Sequence, residues 1–136
     1  MTHPVSIRLA AAHEGPLIQQ LCLAKGVRIG TWLKWDVPLA SNWLIAETTQ
    51  PVGCIMINYG VPIGRMECLI VPPGLDRKTR GVVVRNLCYA AMQALSEHGS
   101  QVVTSMVDEA EPAWMQVVQR RGAVPMTTGT LFIKGI

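Results

Sequence analysis

The stretch Met66–Leu87, MECLIVPPGLDRKTRGVVVRNL, decides how this chain is read. Its opening residues, Met66–Val71, are mostly apolar and closed by Pro72-Pro73-Gly74, which predicts a buried strand. Leu75–Arg80 reads as a loop. Behind Gly81 the period changes: Val84, Leu87, Cys88, Ala91 and Leu95 share one face of a helix expected over Val82–His98, with Gly99 as its stop. A strand that passes through a basic loop into a long helix offers unpaired backbone N–H groups and the positive end of a helix dipole, a natural phosphate site. Asp76 aside, the nearby charges are Arg77, Lys78, Arg80 and Arg85. A solvated basic turn closing an ordinary βα unit would look the same at this stage. Neither the P-loop spacing nor G-x-G-x-x-G is present.

Outward from that stretch, the remaining elements fall into order. Val5–Leu9 predicts a short strand, followed by a helix from about Glu14 with Pro16 in its first turn. Leu17, Ile18, Leu21 and Cys22 form its apolar stripe and Gly26 ends it. Val27–Ser41 carries Trp32 and Trp35 and has no clear period. Trp43–Glu47 and Val52–Tyr59 outline a hairpin across Thr48–Pro51. Beyond the long helix come a strand at Val102–Val107, a helix at Pro112–Arg121 and a closing strand at Thr130–Ile133. This order predicts an α/β protein whose mixed central sheet of six or seven strands is flanked by helices.

Composition narrows the class. The 136 residues suit a single domain over 1–136, and 49% of them are apolar, which excludes a disordered tail protein. Only 15% are charged, against about 25% in ordinary globular proteins. The net charge of +3 is far from the footprint of a nucleic-acid binder. All of that surplus lies in Asp76–Arg85, because the rest of the chain carries eight charges of each sign. Cys22, Cys54, Cys68 and Cys88 lack C-x-x-C spacing and sit in apolar runs, so they read as buried hydrophobes and no metal is expected. The amino terminus lacks a signal-peptide apolar region, and the longest uncharged stretch, Thr48–Gly64, is broken by Pro51, Pro62 and three glycines. A reduced, cytoplasmic protein without membrane contact is expected.

The central stretch resembles the GNAT family of acyl-CoA-dependent N-acetyltransferases. Leu69, Val71 and Pro73 are similar to its strand pattern L-x-V-x-P, and Lys78-Thr79-Arg80-Gly81-Val82-Val83 falls on its loop [QR]-x-x-G-x-[GA]. The resemblance covers nearly the whole chain, including the opening strand, the hairpin and a last helix ending in Gly122-Ala123. It implies an acetyl-CoA site. Backbone groups of Leu69, Ile70 and Val71 would pair with the pantetheine arm and polarise the thioester. The N–H groups of Lys78, Thr79, Arg80, Gly81, Val82 and Val83 would hold the pyrophosphate, with Arg77, Lys78 or Arg80 reaching the 3′-phosphate. The implied chemistry is direct attack by the primary amine of a small-molecule or peptide acceptor. Three positions depart from the family: Val83 at the second small residue, Glu111 in place of a CoA-contacting asparagine, and Val118 in place of a tyrosine that protonates the leaving thiolate.

Glu67, on the strand beside the implied thioester, is the candidate general base; an ion pair with Arg65 on the solvent face is the alternative. Asp108 and Glu109 could serve as base or substrate contact, or cap the next helix. Trp32 and Trp35 could line the acceptor cleft or simply pack. Tyr59 is a further candidate acid, and Trp114 reads as core. Family members commonly dimerise, and a sheet edge near the carboxyl terminus could pair across a twofold axis. A catalytically silent GNAT-fold protein that binds CoA or a protein partner is the second expectation, motivated by the three departures.

Overall fold

A computed structural model describes residues 4–27, 42–106 and 112–124. Its elements run β1 (Ser6–Leu9), a 3-10 turn (Ala12–Glu14), α1 (Gly15–Lys25), β2 (Trp43–Glu47), β3 (Pro51–Asn58), β4 (Ile63–Ile70), α2 (Arg77–Glu97), β5 (Val102–Ser105) and α3 (Pro112–Arg120). The five strands form one mixed sheet in chain order, antiparallel from β1 to β4 and parallel between β4 and β5. The expected mixed α/β sheet with flanking helices is present, with five strands among the described residues rather than six or seven. The strand expected at Thr130–Ile133 lies outside them.

Alternation along the strands divides the core in two. On β2, Leu44 and Ala46 face α2 while Trp43 and Ile45 face α1. The period of two thus puts a helix layer on each side of the sheet. The larger cluster is built on Val83, Val84, Leu87, Cys88, Ala91 and Leu95 of α2, the stripe visible in the sequence, and all six have no exposed surface. Trp114 and Val118 of α3 complete it, and the Arg121 guanidinium stacks on the Tyr89 ring of α2 at 4.0 Å. The smaller cluster joins Ile18, Leu21 and Cys22 of α1 to Cys54 and Ile70.

Two boundaries differ from the sequence expectation by three residues or more, both at the decisive stretch. β4 starts at Ile63 rather than Met66, because Gly64 lets the strand pass against α2: a Cβ there would sit 2.9 Å from Leu95 and 2.4 Å from Ser100 Oγ. Helix α2 starts at Arg77 rather than Val82. Asp76 is its N-cap, with one carboxylate oxygen accepting from the Thr79 N–H at 2.7 Å and the other from the Thr79 hydroxyl at 2.9 Å. Cap energetics outweighed the glycine as a boundary signal.

Candidate functional site

The site grows from the way β4 is left half-paired. It runs beside β5 from Ile63, opposite Val102, to Met66, opposite Ser105. The Ser105 hydroxyl ends that ladder by donating to the Met66 carbonyl at 2.8 Å. From Glu67 onward, the β5 side of β4 has no strand partner among the described residues. On the other side the register slips, since Met56 faces Glu67 while Cys54 faces Ile70. β4 therefore carries one extra residue, and Cys68 takes up the slack at a φ of 52°. Such a bulge leaves ladder groups unpaired and re-aims the neighbouring side chains. Met66 and Leu69 face α2, whereas Cys68, between them, packs against the α1 cluster. An open strand edge of this kind can take an extended ligand as an added strand.

Glu67 stands at the start of that edge, half-buried. Arg65 Nε lies 3.4 Å from its Oε1, and Asn58 Nδ2 donates to Oε2 at 3.5 Å. Both contacts are long, so the carboxylate is held loosely and keeps acceptor capacity. Leu69, Ile70 and Val71 follow it, with their side chains buried and their backbone along the edge. The Val71 carbonyl accepts from Arg80 Nη1 at 2.7 Å, which ties the first turn of α2 to the end of the strand.

The start of α2 lies six residues past Val71. Arg77, Lys78 and Thr79 are its first three residues, whose N–H groups precede any intrahelical acceptor. Arg77 and Lys78 are exposed and Arg85 is exposed about two turns further on, so the positive field stands at the helix start as expected. Gly81, Val82 and Val83 lie inside the helix, where N–H groups bond to carbonyls four residues back, and the Val83 side chain is in the core. The Asp76 carboxylate, held below its usual range by the Thr79 N–H and hydroxyl, already uses one of the three orphan donors.

Acyl-CoA makes two demands: a strand-like path for its thioester arm and donors for its diphosphate. The open, bulged edge of β4 meets the first. The α2 start, with Arg77 and Lys78, meets the second except at Asp76. Val118 is buried on α3 and offers no proton. Trp114, one turn before it, is buried, and its indole N–H has no partner among the described residues. Trp32, Trp35, Asp108, Glu109 and Glu111 lie outside the described residues. Tyr59 packs its ring on His98 at 4.3 Å, and burial raises its hydroxyl above the usual range. A cavity of about 480 Å³ opens on the α1 side of Pro72–Leu75, between Leu17, Leu21 and Pro51; Glu67 is not among its walls. No group of metal-ligating side chains occurs among the described residues.

Three residues of the site escape sequence reasoning. Asn58 and Ser105 sit on strands whose pairing no local pattern reveals. Asp76 reads in the sequence only as the acid among four basic residues, and its role as the cap of α2 comes from the structure.

No protein-family model and no curated protein matches the chain. Solved structures do. A ribosomal-protein-alanine N-acetyltransferase from Brucella melitensis superposes with a TM-score of 0.67 at 13% identity, over 96% of this chain and 99% of that one. A diaminobutyrate acetyltransferase from Paenibacillus lautus, in complex with L-2,4-diaminobutyric acid and coenzyme A, gives 0.62 at 17% identity, over 88% and 75%. A transcriptional regulator from Bacillus halodurans gives 0.67 at 13% identity, over 96% and 100%. The shared property at these identities is the fold.

Proposed function

We propose that this chain, which has the GNAT fold, is an acyl-CoA-dependent N-acetyltransferase that moves an acetyl group from acetyl-CoA to a primary amine. The observation that carries this reading is the open edge of β4 from Glu67 to Ile70, bulged at Cys68 and leading to the basic start of α2. The edge binds the thioester arm through backbone groups in the Leu69, Ile70 and Val71 segment, and those that face the open side polarise the thioester carbonyl. Arg77 and Lys78, with the N–H groups of the α2 start, hold the phosphates; Arg80 is engaged on Val71 and orients the strand end. Glu67 takes the proton from the acceptor's ammonium, directly or through a water, and the neutral amine attacks the carbonyl carbon. The thiolate leaves without a dedicated acid. A thiol pKa near ~8.5 makes that departure tolerable, and Val118 cannot assist it.

The acceptor is a small-molecule or peptide amine. Support comes from the structural neighbours, of which one acts on a ribosomal-protein alanine and another on diaminobutyrate. Trp32, Trp35 and Asp108 belong to the proposed acceptor side. A single domain, a cytoplasmic setting and a twofold homodimer through the carboxyl-terminal sheet edge complete the proposal. No described helix is long and apolar enough to cross a membrane. Light scattering at the 14.8 kDa monomer mass would remove the dimer.

Titration calorimetry with acetyl-CoA tests the reading first, and binding in the micromolar range is expected. Absence of binding at high micromolar concentration overturns it. With binding established, chromatographic detection of free CoA over a panel of amines decides between catalyst and binder. The binder is the second reading, a GNAT-fold protein that holds CoA without turnover. Asp76 on the α2 donors and Val118 on α3 favour it, and CoA binding with no thiol release from any amine would establish it.

A further inference from the structure

The face of the sheet turned towards α1 carries a strip of side chains beside the proposed thioester. Ile57 and Met66 are register partners and both pack on the α2 side, so Asn58, Arg65 and Glu67 next to them take the opposite face. Met56, the partner of Glu67, packs against the α1 cluster and fixes the same assignment. On β5, Val103 packs on the α2 side, which leaves Val102 and Thr104 on the strip. Arg65 thus stands between Asn58 and Thr104 across the ladder and two residues before Glu67 along it.

Arg65 keeps capacity for an anion. Its side chain is 59% exposed and meets Glu67 through Nε alone, at 3.4 Å. An exposed pair of that length contributes little and gives way to a better partner. The two Nη nitrogens, part of the fork that matches a carboxylate, have no hydrogen bond to a described residue. One positive head therefore lies beside the carboxylate that the proposed mechanism uses as its base. That arrangement complements a zwitterion. Standard bond lengths hold the nitrogen and carboxylate oxygens of an α-amino acid about 3 Å apart, the same scale as the 3.4 Å between Arg65 and Glu67.

We infer that the acceptor is a free amino acid, its amine placed at Glu67 and its carboxylate received by Arg65, which makes Arg65 a specificity-determining residue of the site. This deepens the acyltransferase reading and rests on it. A peptide amino terminus or a plain alkylamine lacks the adjacent carboxylate and forfeits the Arg65 contact. The products are an N-acetyl amino acid and free CoA. One ammonium proton passes to Glu67, the C–N bond forms as the C–S bond breaks, and a second nitrogen proton reaches the departing sulfur through water. Beyond Arg65 the strip turns apolar, with Ile63 and Val102 opposite each other and each 53% exposed, so leucine is the probe.

The test compares leucine with leucinamide, which keeps the amine and the side chain and loses the negative charge. Measured by CoA release, kcat/KM for leucine should exceed that for leucinamide by at least about tenfold, carried by KM, the scale of a hydrogen bond to a charged group. The amide's amine is the less basic and the more often neutral, so this preference runs against intrinsic reactivity. Arg65→Gln should level the two substrates, and Arg65→Lys should restore part of the preference. Leucinamide matching or exceeding leucine with the wild-type chain overturns the inference and leaves the acyltransferase reading intact, and so does a preference that survives Arg65→Gln. With no release from any amine the acyltransferase reading falls, and calorimetry of leucine in the presence of CoA then decides alone. Binding that Arg65→Gln removes sustains the amino-acid site; binding that persists in that variant, or none at millimolar leucine, overturns it. If Arg65→Gln fails to fold, the wild-type preference decides.

Discussion

Asp76 has two roles that pull against each other. As N-cap it satisfies the Thr79 N–H at 2.7 Å and starts α2; as a carboxylate it stands where the proposed diphosphate needs donors and no negative charge. Asp76→Ser keeps an oxygen for the cap and removes the charge. Calorimetry should show acetyl-CoA bound about two- to fivefold tighter by this variant, the scale of one charge at a helix end; weaker binding would show that the carboxylate is not a competitor. Glu67 separates chemistry from binding. Glu67→Gln should lower kcat/KM by about 10²-fold with acetyl-CoA affinity within about twofold of wild type. An unchanged rate removes Glu67 as the base. At this scale the sequence showed which residues carry charge and which strand holds Glu67. It did not show that Asn58 and Arg65 hold the carboxylate only loosely, because those contacts depend on how β3 and β4 are registered.

Elements are positioned by close approaches that particular residues permit. Gly64→Ala places a Cβ 2.9 Å from Leu95 and 2.4 Å from Ser100 Oγ, and the Ser100 hydroxyl is itself committed to the Gly60 carbonyl at 2.6 Å. Denaturant unfolding should register a loss of about 1–3 kcal/mol. A second test concerns the first strand. Arg8 of β1 donates to Glu14 Oε2 at 2.7 Å and to Glu47 of β2 at 2.8 Å, and the Glu14 carboxyl falls from 4.5 to about 2 chiefly through that guanidinium. A folded-state pKa below the unfolded one stabilises fully above about pH 4.5 and is lost as pH falls towards about 2. Glu14→Gln should therefore melt below wild type at pH 7, with the gap closing between pH 5 and pH 2.5; a constant gap would mean that Glu14 acts by packing alone. The hairpin, the long helix and α3 were all legible from periodicity. The true start of α2 was not, because Gly81 was weighed as the boundary while the Asp76–Thr79 cap, three residues apart, set it.

For the molecule as a whole, the net charge of +3 is concentrated beside one helix end. A ligand held by a few phosphates at one place should lose only a few-fold in affinity between 50 mM and 200 mM salt, whereas a protein tracking a polyanion loses about 10³–10⁵. A steep salt slope in acetyl-CoA titrations, or tight duplex binding at 200 mM salt, would contradict that picture. Taken alone, the sequence determined the layer architecture, the two-sided burial of the sheet, the α2 core stripe and the location of the positive surplus. All of these follow from hydrophobic period and charge order, which are local properties of the chain. Only the tertiary structure decided that β5 releases β4 after Met66, that Cys68 bulges at positive φ, that Arg80 reaches back to Val71 and that Cys22 and Cys54 share one core cluster. Each of these joins segments distant along the chain, and strand register and helix docking are set by the summed packing of the whole sheet rather than by any stretch of it.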